Sequence, residues 1–493
     1  MNKKITALTL FFCMLFAASC GGTSGDTDGT TAPVTTEPPV TDDGRIRDSI
    51  PEGTDFGGKQ INVFIADYNT AYSEDRYAVE EDGNRLHDAI FRTITSTEER
   101  LNVDLSYTVE SFNWDGMNAF NTKLMASIMA DDGSIDVLYS PLNYAERMLE
   151  GNYFIDLSKT KYIDTDKPWY NQSVIENMPG DYIHFLAGQI GIANVKNAFG
   201  IYVNTDKYAA LGKTENLYEI VDSGKWTFDK MEAIIKDSYR DVNGNTEADE
   251  TDEYGLTFGD QNKYLGFLKA FGMDIFVKTA DGYEFAFDNE RGFTAMERLV
   301  RFVNENENVY RAPTTNTTSN SFSTGGGNYA SPQFIEGNSL FSCSLIADAA
   351  TIIPEIKFGY GLLPYPKFDE AQEDYATMLQ RNLFVLIPTT SRSQDEASAV
   401  IEALSSETYN TLLPEFCEVS LKVRYAQDND MSRMFDLIGS SIVYDPGEIY
   451  ASLLGTPSGQ IKAAVNNNDT NWVSRMNGMK AGLIEKMNAI TVK

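Results

Sequence analysis

From residue 58 onward the chain switches repeatedly between two hydrophobic periods. Ile61, Val63 and Ile65 recur at every second position, the pattern of a half-buried strand. Leu86, Ala89, Ile90, Thr93, Ile94 and Leu101 then follow at helical spacing, and Val103, Leu105, Tyr107 and Val109 return to period two. Met117, Phe120, Leu124 and Ile128 form the next helical stripe, with Asp115 placed to cap it. Residues 135–139 read as a short strand broken by Pro141, and 142–150 as a helix. This alternation predicts an α/β fold with a mostly parallel sheet and right-handed crossovers, whose ligands sit beyond the carboxyl ends of the strands.

A second α/β unit starts near Gly200. Residues 201–204 read as a strand and 227–239 as a helix with the stripe Phe228, Met231, Ile234 and Ile235. Thr227 is its expected N-cap, and Trp226 at the preceding position is expected to staple onto Met231. Residues 255–258 and 283–287, then the helical stripe Phe293, Met296, Leu299, Val300 and Val303, continue the unit. The stretch 313–332 is a Thr/Asn/Ser/Gly-rich connector, and its Gly325-Gly326-Gly327 lacks the Lys-Ser/Thr of a phosphate loop. From about Gln394 the pattern is mainly helical, with Trp472 a packing residue, and there is no internal repeat.

The start of the chain sets an expected compartment. Lys3 and Lys4 precede an uncharged apolar run over 5–19, the plan of a secretory signal and too short to span a bilayer. Ala17-Ala18-Ser19-Cys20-Gly21 resembles a bacterial lipobox, which makes Cys20 the expected lipidation site, although Ala17 stands where Leu is usual. Residues 21–44 are rich in Gly, Ser, Thr, Pro and Asp without apolar periodicity, a disordered tether. The expected plan is a signal peptide over 1–19, a lipid-anchored tether over 20–44 and an extracytoplasmic globular body.

Charge narrows the partners. The formal net charge is −32, and cleavage after residue 19 removes two lysines and no acids, leaving −34. So acidic a chain offers no electrostatic footprint for nucleic acid or an anionic membrane surface. Beside Cys20, the body contains Cys343 and Cys417, for which a disulfide and two free thiols both remain open.

Several segments resemble a known family. Ser134-Ile135-Asp136-Val137-Leu138 followed by 149–157 resembles the "D-v … G-x-f-x-D-L" run of extracellular solute-binding proteins of the maltose-binding type (family 1). Ile201-Tyr202-Val203-Asn204 is similar to their "y-y-N" strand, and Gly224-Lys225-Trp226-Thr227 to their helix start with Trp and Thr reversed. The segments 334–341 and 361–366 resemble their "F-x-x-G-k-a-a-m" and "g-x-x-P-x-P" elements, all in family order. Lys167-Pro168-Trp169-Tyr170 and Tyr444-Asp445-Pro446 resemble a Gram-positive branch of such lipoproteins.

The resemblance implies a two-lobed, type II periplasmic-binding-protein-like fold that captures a small ligand, a carbohydrate by preference, for an ABC importer by hinge closure. It places 58–190 plus 333–378 in lobe one and 195–330 plus 380–455 in lobe two. Terminal helices over 456–493 are expected to pack back on lobe one, and the protein is expected to be a monomer. Sugars need aromatic platforms and hydrogen-bonding side chains. The expected ligand residues are Tyr68, Tyr139 and Asn143 at strand ends, the Trp169–Tyr170 pair, Asn197 and Asn204 flanking the first crossing, Asp348, and Arg381 and Asn382 at the second. Core packing is the competing reading for each aromatic.

One further motif suggests a metal. Asp241, Asn243, Asn245, Glu247, Asp249 and Asp252 stand at positions 1, 3, 5, 7, 9 and 12 of a loop similar to those of EF-hands and dockerins. A structural calcium is expected there, with Glu247 serving through its carbonyl, although Thr246 replaces the usual Gly. Catalysis finds little support. The two histidines, His87 and His184, have no metal spacing, and no G-x-S-x-G elbow is present. A surface glycan hydrolase and a non-transport sensor or adhesin of the same fold are the alternatives; no redox or nucleotide cofactor is expected.

Overall fold

The computed structural model describes residues 44–68, 76–113, 115–141, 151, 153–258, 263–311, 331–348, 356–379, 382–418 and 429–490. Its strands are β1 (Lys59–Tyr68), β2 (Val103–Phe112), β3 (Val137–Ser140), β4 (Phe199–Asn204), β5 (Tyr254–Phe258), β6 (Phe276–Thr279), β7 (Gly282–Phe285), β8 (Val309–Arg311), β9 (Ser339–Leu345), β10 (Tyr360–Leu363) and β11 (Phe384–Leu386). They form a first sheet in the order β11-β3-β1-β2, a second in the order β10-β4-β9-β5-β8, and the hairpin β6-β7. The first sheet is parallel across β1, β2 and β3, with β11 antiparallel at its edge. The second is mixed, with β5 parallel to β8 and β9, and β4 antiparallel to β9 and β10.

Local chemistry accounts for these elements. Ile61, Val63 and Ile65 are buried in β1, and helix Arg85–Leu101 packs its buried face on the neighbouring β2. Asn84 caps that helix by accepting from the amides of Leu86 and His87, and Asn102 ends it in the left-handed region. Helix Met117–Met129 starts after Gly116 with no side-chain cap, so Asp115 does not have the role expected of it. Thr227 does cap its helix, accepting from Lys230. That helix, Phe228–Ile235, stops short of residue 239 because Lys236 turns extended and Asp237 takes a positive φ. Trp226 is fully buried, with its indole Nε1 donating to the Pro364 carbonyl.

The sheet order corrects the expected division into lobes. Residues 333–378 do not return to lobe one, since β9 lies between β4 and β5, and β10 pairs with β4. Every residue of β9 is buried, so both faces of this strand are covered within the second sheet. Nor does the stretch after 380 belong to lobe two at its start. There β11 pairs with β3, and helix Gln394–Glu407 packs on helix Arg85–Leu101. The terminal helices Pro457–Asn466 and Trp472–Ala489 pack on helix Glu290–Glu305 of the second lobe, not on the first.

A narrow ribbon joins the two lobes. The Ile346 and Ala347 amides donate to the carbonyls of Ala198 and Lys196. Ala198 bridges Leu379, and Thr377 bridges Ile442. Four short stretches thus cross side by side, the place where a two-lobed fold bends.

Candidate functional site

Both sheets turn one set of strand ends toward this ribbon. In lobe one the ends are those of β1 and β3, because Ser140 pairs with Phe384 just after the chain crosses back at Leu379. In lobe two they are the start of β4 and the ends of β5 and β9. The facing strand ends define the candidate ligand cleft, the position that open α/β sheets reserve for ligands.

In lobe one Asp67 is fully buried, with Ser111 Oγ donating to its carboxylate at 3.1 Å. Tyr139 is buried beneath Arg76, whose guanidinium carbon lies 4.2 Å from the ring centroid. Arg76 also donates to the Ile190 carbonyl. Burial raises the pKa of the Tyr139 phenol, so it stays protonated. Gly191 lets Arg76 pass, since a Cβ at that position would lie 1.5 Å from Nη2. In lobe two Asp348 is buried after β9 and accepts from Ser344 Oγ and from the Leu345 amide at 3.3 Å. Lys263, also buried, holds its ammonium 5.0 Å from the Phe199 ring centroid. The site therefore carries charge of both signs next to aromatic rings.

Tyr139, Asn197 and Asp348 lie at these ends, as expected, and Asn382 is half-buried just before β11. Tyr68 ends β1, but its side chain lies outside the described residues, as do Asn143, Arg381 and Cys20. Trp169 and Tyr170 are not at the strand ends. They sit beyond the β11 edge, fully buried, with Tyr170 bridged to Gly188 and its hydroxyl committed to Glu402 at 2.8 Å. Core packing is what holds them. Asn204 stands at the far end of β4 from the crossing, where it caps helix Thr205–Ala210. Arg76 and Lys263 were not among the expected residues, and their available signal was a cation in the segment that follows a strand; Asp67, also outside that set, stands in phase with Ile61, Val63 and Ile65 at the end of β1.

The acidic loop is folded around its own side chains. Asp241 accepts from the amides of Gly244 and Thr246, at 2.6 and 2.9 Å. Asn243 and Asn245 both donate to Asp249, which holds that carboxyl at about 2, with the Thr251 hydroxyl the largest influence. Asp252 is fully buried and accepts from the Tyr239 hydroxyl and the Val242 amide. Asn243 and Asn245 turn their amide nitrogens to Asp249 while their oxygens accept from the Asn245 and Glu247 amides, and Asp252 is committed as well, so as folded the loop's own hydrogen bonds hold its oxygen ligands. Among the described residues no group of three or more His, Cys, Asp and Glu is placed to hold a metal. Cys343 and Cys417 are not joined in a disulfide. No helix among the described residues is long and apolar enough to cross a membrane.

No family model matches the chain, and no curated protein matches it. Solved structures do. An extracellular solute-binding protein from Staphylococcus aureus, solved in complex with maltose, is similar over 87% of this chain and 98% of its own, at TM-score 0.55 and 11% identity. The chain has the two-lobed fold of type II periplasmic binding proteins. The GacH receptor of Streptomyces glaucescens, solved unliganded and with acarbose, covers 88% of this chain and 99% of its own, at TM-score 0.54 and 13% identity. The cyclic α-maltosyl-1,6-maltose binding protein of Arthrobacter globiformis covers 88% and 99%, at TM-score 0.53 and 15% identity. These neighbours are binding proteins rather than enzymes. At such identities the likeness is one of fold.

Proposed function

We propose that this protein is an extracytoplasmic solute-binding protein that captures a carbohydrate between its lobes and delivers it to an ABC importer. The observation that carries this reading is the pair of sheets whose ligand-binding ends face each other across a four-stretch ribbon. The same two-lobed fold is found in neighbours solved with maltose and acarbose. Asp67, Arg76 and Tyr139 of lobe one, with Asn197, Lys263 and Asp348 of lobe two, supply hydrogen-bonding groups and ring faces suited to hydroxyls and C–H faces. Closure follows from contacts that ligand makes to both lobes only in the closed state. The protein binds its sugar and releases it unchanged.

Cys20 is proposed as the lipid anchor on the extracytoplasmic face, with the stretch to residue 44 as tether. The body begins beside this tether on lobe one, where Arg45 pairs with Glu407 at 2.5 Å and Asn410 exchanges two hydrogen bonds with the Ile46 backbone. The loop from Asp241 to Asp252 is proposed to bind a structural calcium ion away from the cleft.

A thermal-shift screen of the purified protein against mono- and oligosaccharides tests the function. A ligand at about 100 times its Kd adds about 2.7 kcal/mol of stability. Stabilisation by one glycan class, with that glycan recovered intact, is the expected result. Hydrolysis of the bound glycan contradicts the binding role.

A further inference from the structure

A second cavity, of about 450 Å³, lies beside the ribbon and away from the strand ends. That volume falls within the range of about 300–1,000 Å³ typical of small-molecule sites. One wall is the stretch 168–173 with Gly188 and Gln189, all lobe one, at the far side of the β11 edge. The opposite wall is the stretch 439–444, which leaves helix Asn429–Ser440. That helix packs on β10 of lobe two. Two hydrogen bonds stitch the walls together, from Asn171 Nδ2 to the Ile442 carbonyl at 2.9 Å and from the Tyr444 amide to Ser173 Oγ at 3.2 Å.

The lining defines the ligand. None of the fifteen residues around the cavity is charged, in a chain where 23% of residues are. An ionic ligand would lose its hydration without gaining a counter-charge. Gln172, Gln189 and Ser440, none of them fully buried, offer neutral donors and acceptors at the rim, and the half-buried Tyr409 offers an aromatic surface. Amides and hydroxyls around aromatic rings match a neutral molecule that carries hydroxyls on an apolar ring.

We infer that this cavity is a second binding site, distinct from the cleft, for a neutral polyhydroxylated ring of monosaccharide size, and that its occupation biases the opening of the hinge. The bias follows from position. One wall belongs to lobe one, and the other belongs to the ribbon and to the helix resting on lobe two. Bending the ribbon therefore changes the cavity, and a ligand that fits one arrangement better favours that arrangement. This second clause rests on the hinge function proposed above, whereas the existence of the site does not.

The test uses the purified protein with D-glucose as probe, followed by saturation-transfer NMR. Three variants are compared with the wild type: Ser440→Trp and Gln189→Trp, which fill the cavity from opposite walls, and Arg76→Ala, which alters the cleft. The expected result is a glucose signal that survives Arg76→Ala and falls about tenfold or more in both cavity variants. Ser440 is exposed, so its variant tests the site even if Gln189→Trp fails to fold. No glucose signal in the wild type, or a signal untouched by both fillings, overturns the site. A signal lost only in Arg76→Ala places the sugar in the cleft and also overturns it. Once a cleft ligand is known, Ser440→Trp is expected to change its Kd; an unchanged Kd overturns the coupling while leaving the site itself to the glucose experiment.

Discussion

The hydroxyl of Tyr170 donates to the carboxylate of Glu402 at 2.8 Å, joining two parts of lobe one that stand 232 residues apart in the chain. The other carboxylate oxygen accepts from the Ser49 amide at 3.3 Å. One buried acid thus gathers the start of the body, the segment beyond the β11 edge and the returning helix Gln394–Glu407.

Burial pushes Glu402 up to about 7, with the Tyr170 hydrogen bond opposing it. The folded protein therefore holds a proton that the unfolded chain, titrating near 4.5, releases. The resulting stability is fully present below pH 4.5 and is lost as pH rises through 7. Glu402→Gln removes this dependence. Urea unfolding at pH 5 and pH 8 should show the variant gaining on the wild type at the higher pH, by at most on the order of 3 kcal/mol. An equal difference at both pH values contradicts the assignment.

His184 has the opposite sign. Its ring lies 4.3 Å from that of Tyr182, and neither ring nitrogen has a hydrogen-bond partner among the described residues. Burial lowers its pKa to about 4, against the pull of Asp156. The unfolded chain takes up a proton near 6.5 that the folded protein refuses until about 4, so stability falls across that window on acidification. His184→Leu should gain on the wild type by up to about 2 kcal/mol between pH 7 and pH 5. Chemical denaturation at the two pH values measures it, and a variant that gains nothing on the wild type at pH 5 would sink the account.

Gly191 is predicted to be required for the cleft. Alanine there puts its Cβ against the Arg76 guanidinium, which must leave its place over Tyr139. Gly191→Ala should weaken binding of the cleft ligand about tenfold or more while the protein stays folded. Calorimetry against the glycan found by screening gives the answer, and unchanged affinity removes Arg76 from the site.

The acidic loop makes a separate prediction. Calcium should raise the unfolding temperature of the purified protein, and Asp241→Ala should abolish that rise without altering ligand affinity. Absence of a calcium effect in the wild type would leave the loop as a turn held by its own hydrogen bonds.

Much of the fold was legible because its cues are local. The period-two runs at Ile61 and Val103 became strands, as did the stretch 255–258, and the stripe from Leu86 to Leu101 became a helix with an Asn cap. Sheet membership was not legible. The apolar run Ser339–Leu345 states that it is covered on both faces but not that its neighbours are β4 and β5. The strand-end positions of Tyr139, Asn197 and Asp348 were legible, since each follows or precedes a run read as a strand. Trp169 and Tyr170 do not stand at the strand ends, because an aromatic pair after proline has the same composition wherever the fold places it; here it packs against Tyr409 and Glu402 and borders the second cavity. Arg76 escaped notice because its partner is a backbone carbonyl from residue 190, which no side-chain motif records.

The most direct test of the central claim is small-angle X-ray scattering of the purified protein with and without the stabilising glycan, starting with maltose. Hinge closure predicts a smaller radius of gyration in the bound state, with the sugar recovered intact. A glycan that binds at saturation and leaves the radius unchanged contradicts capture by closing lobes.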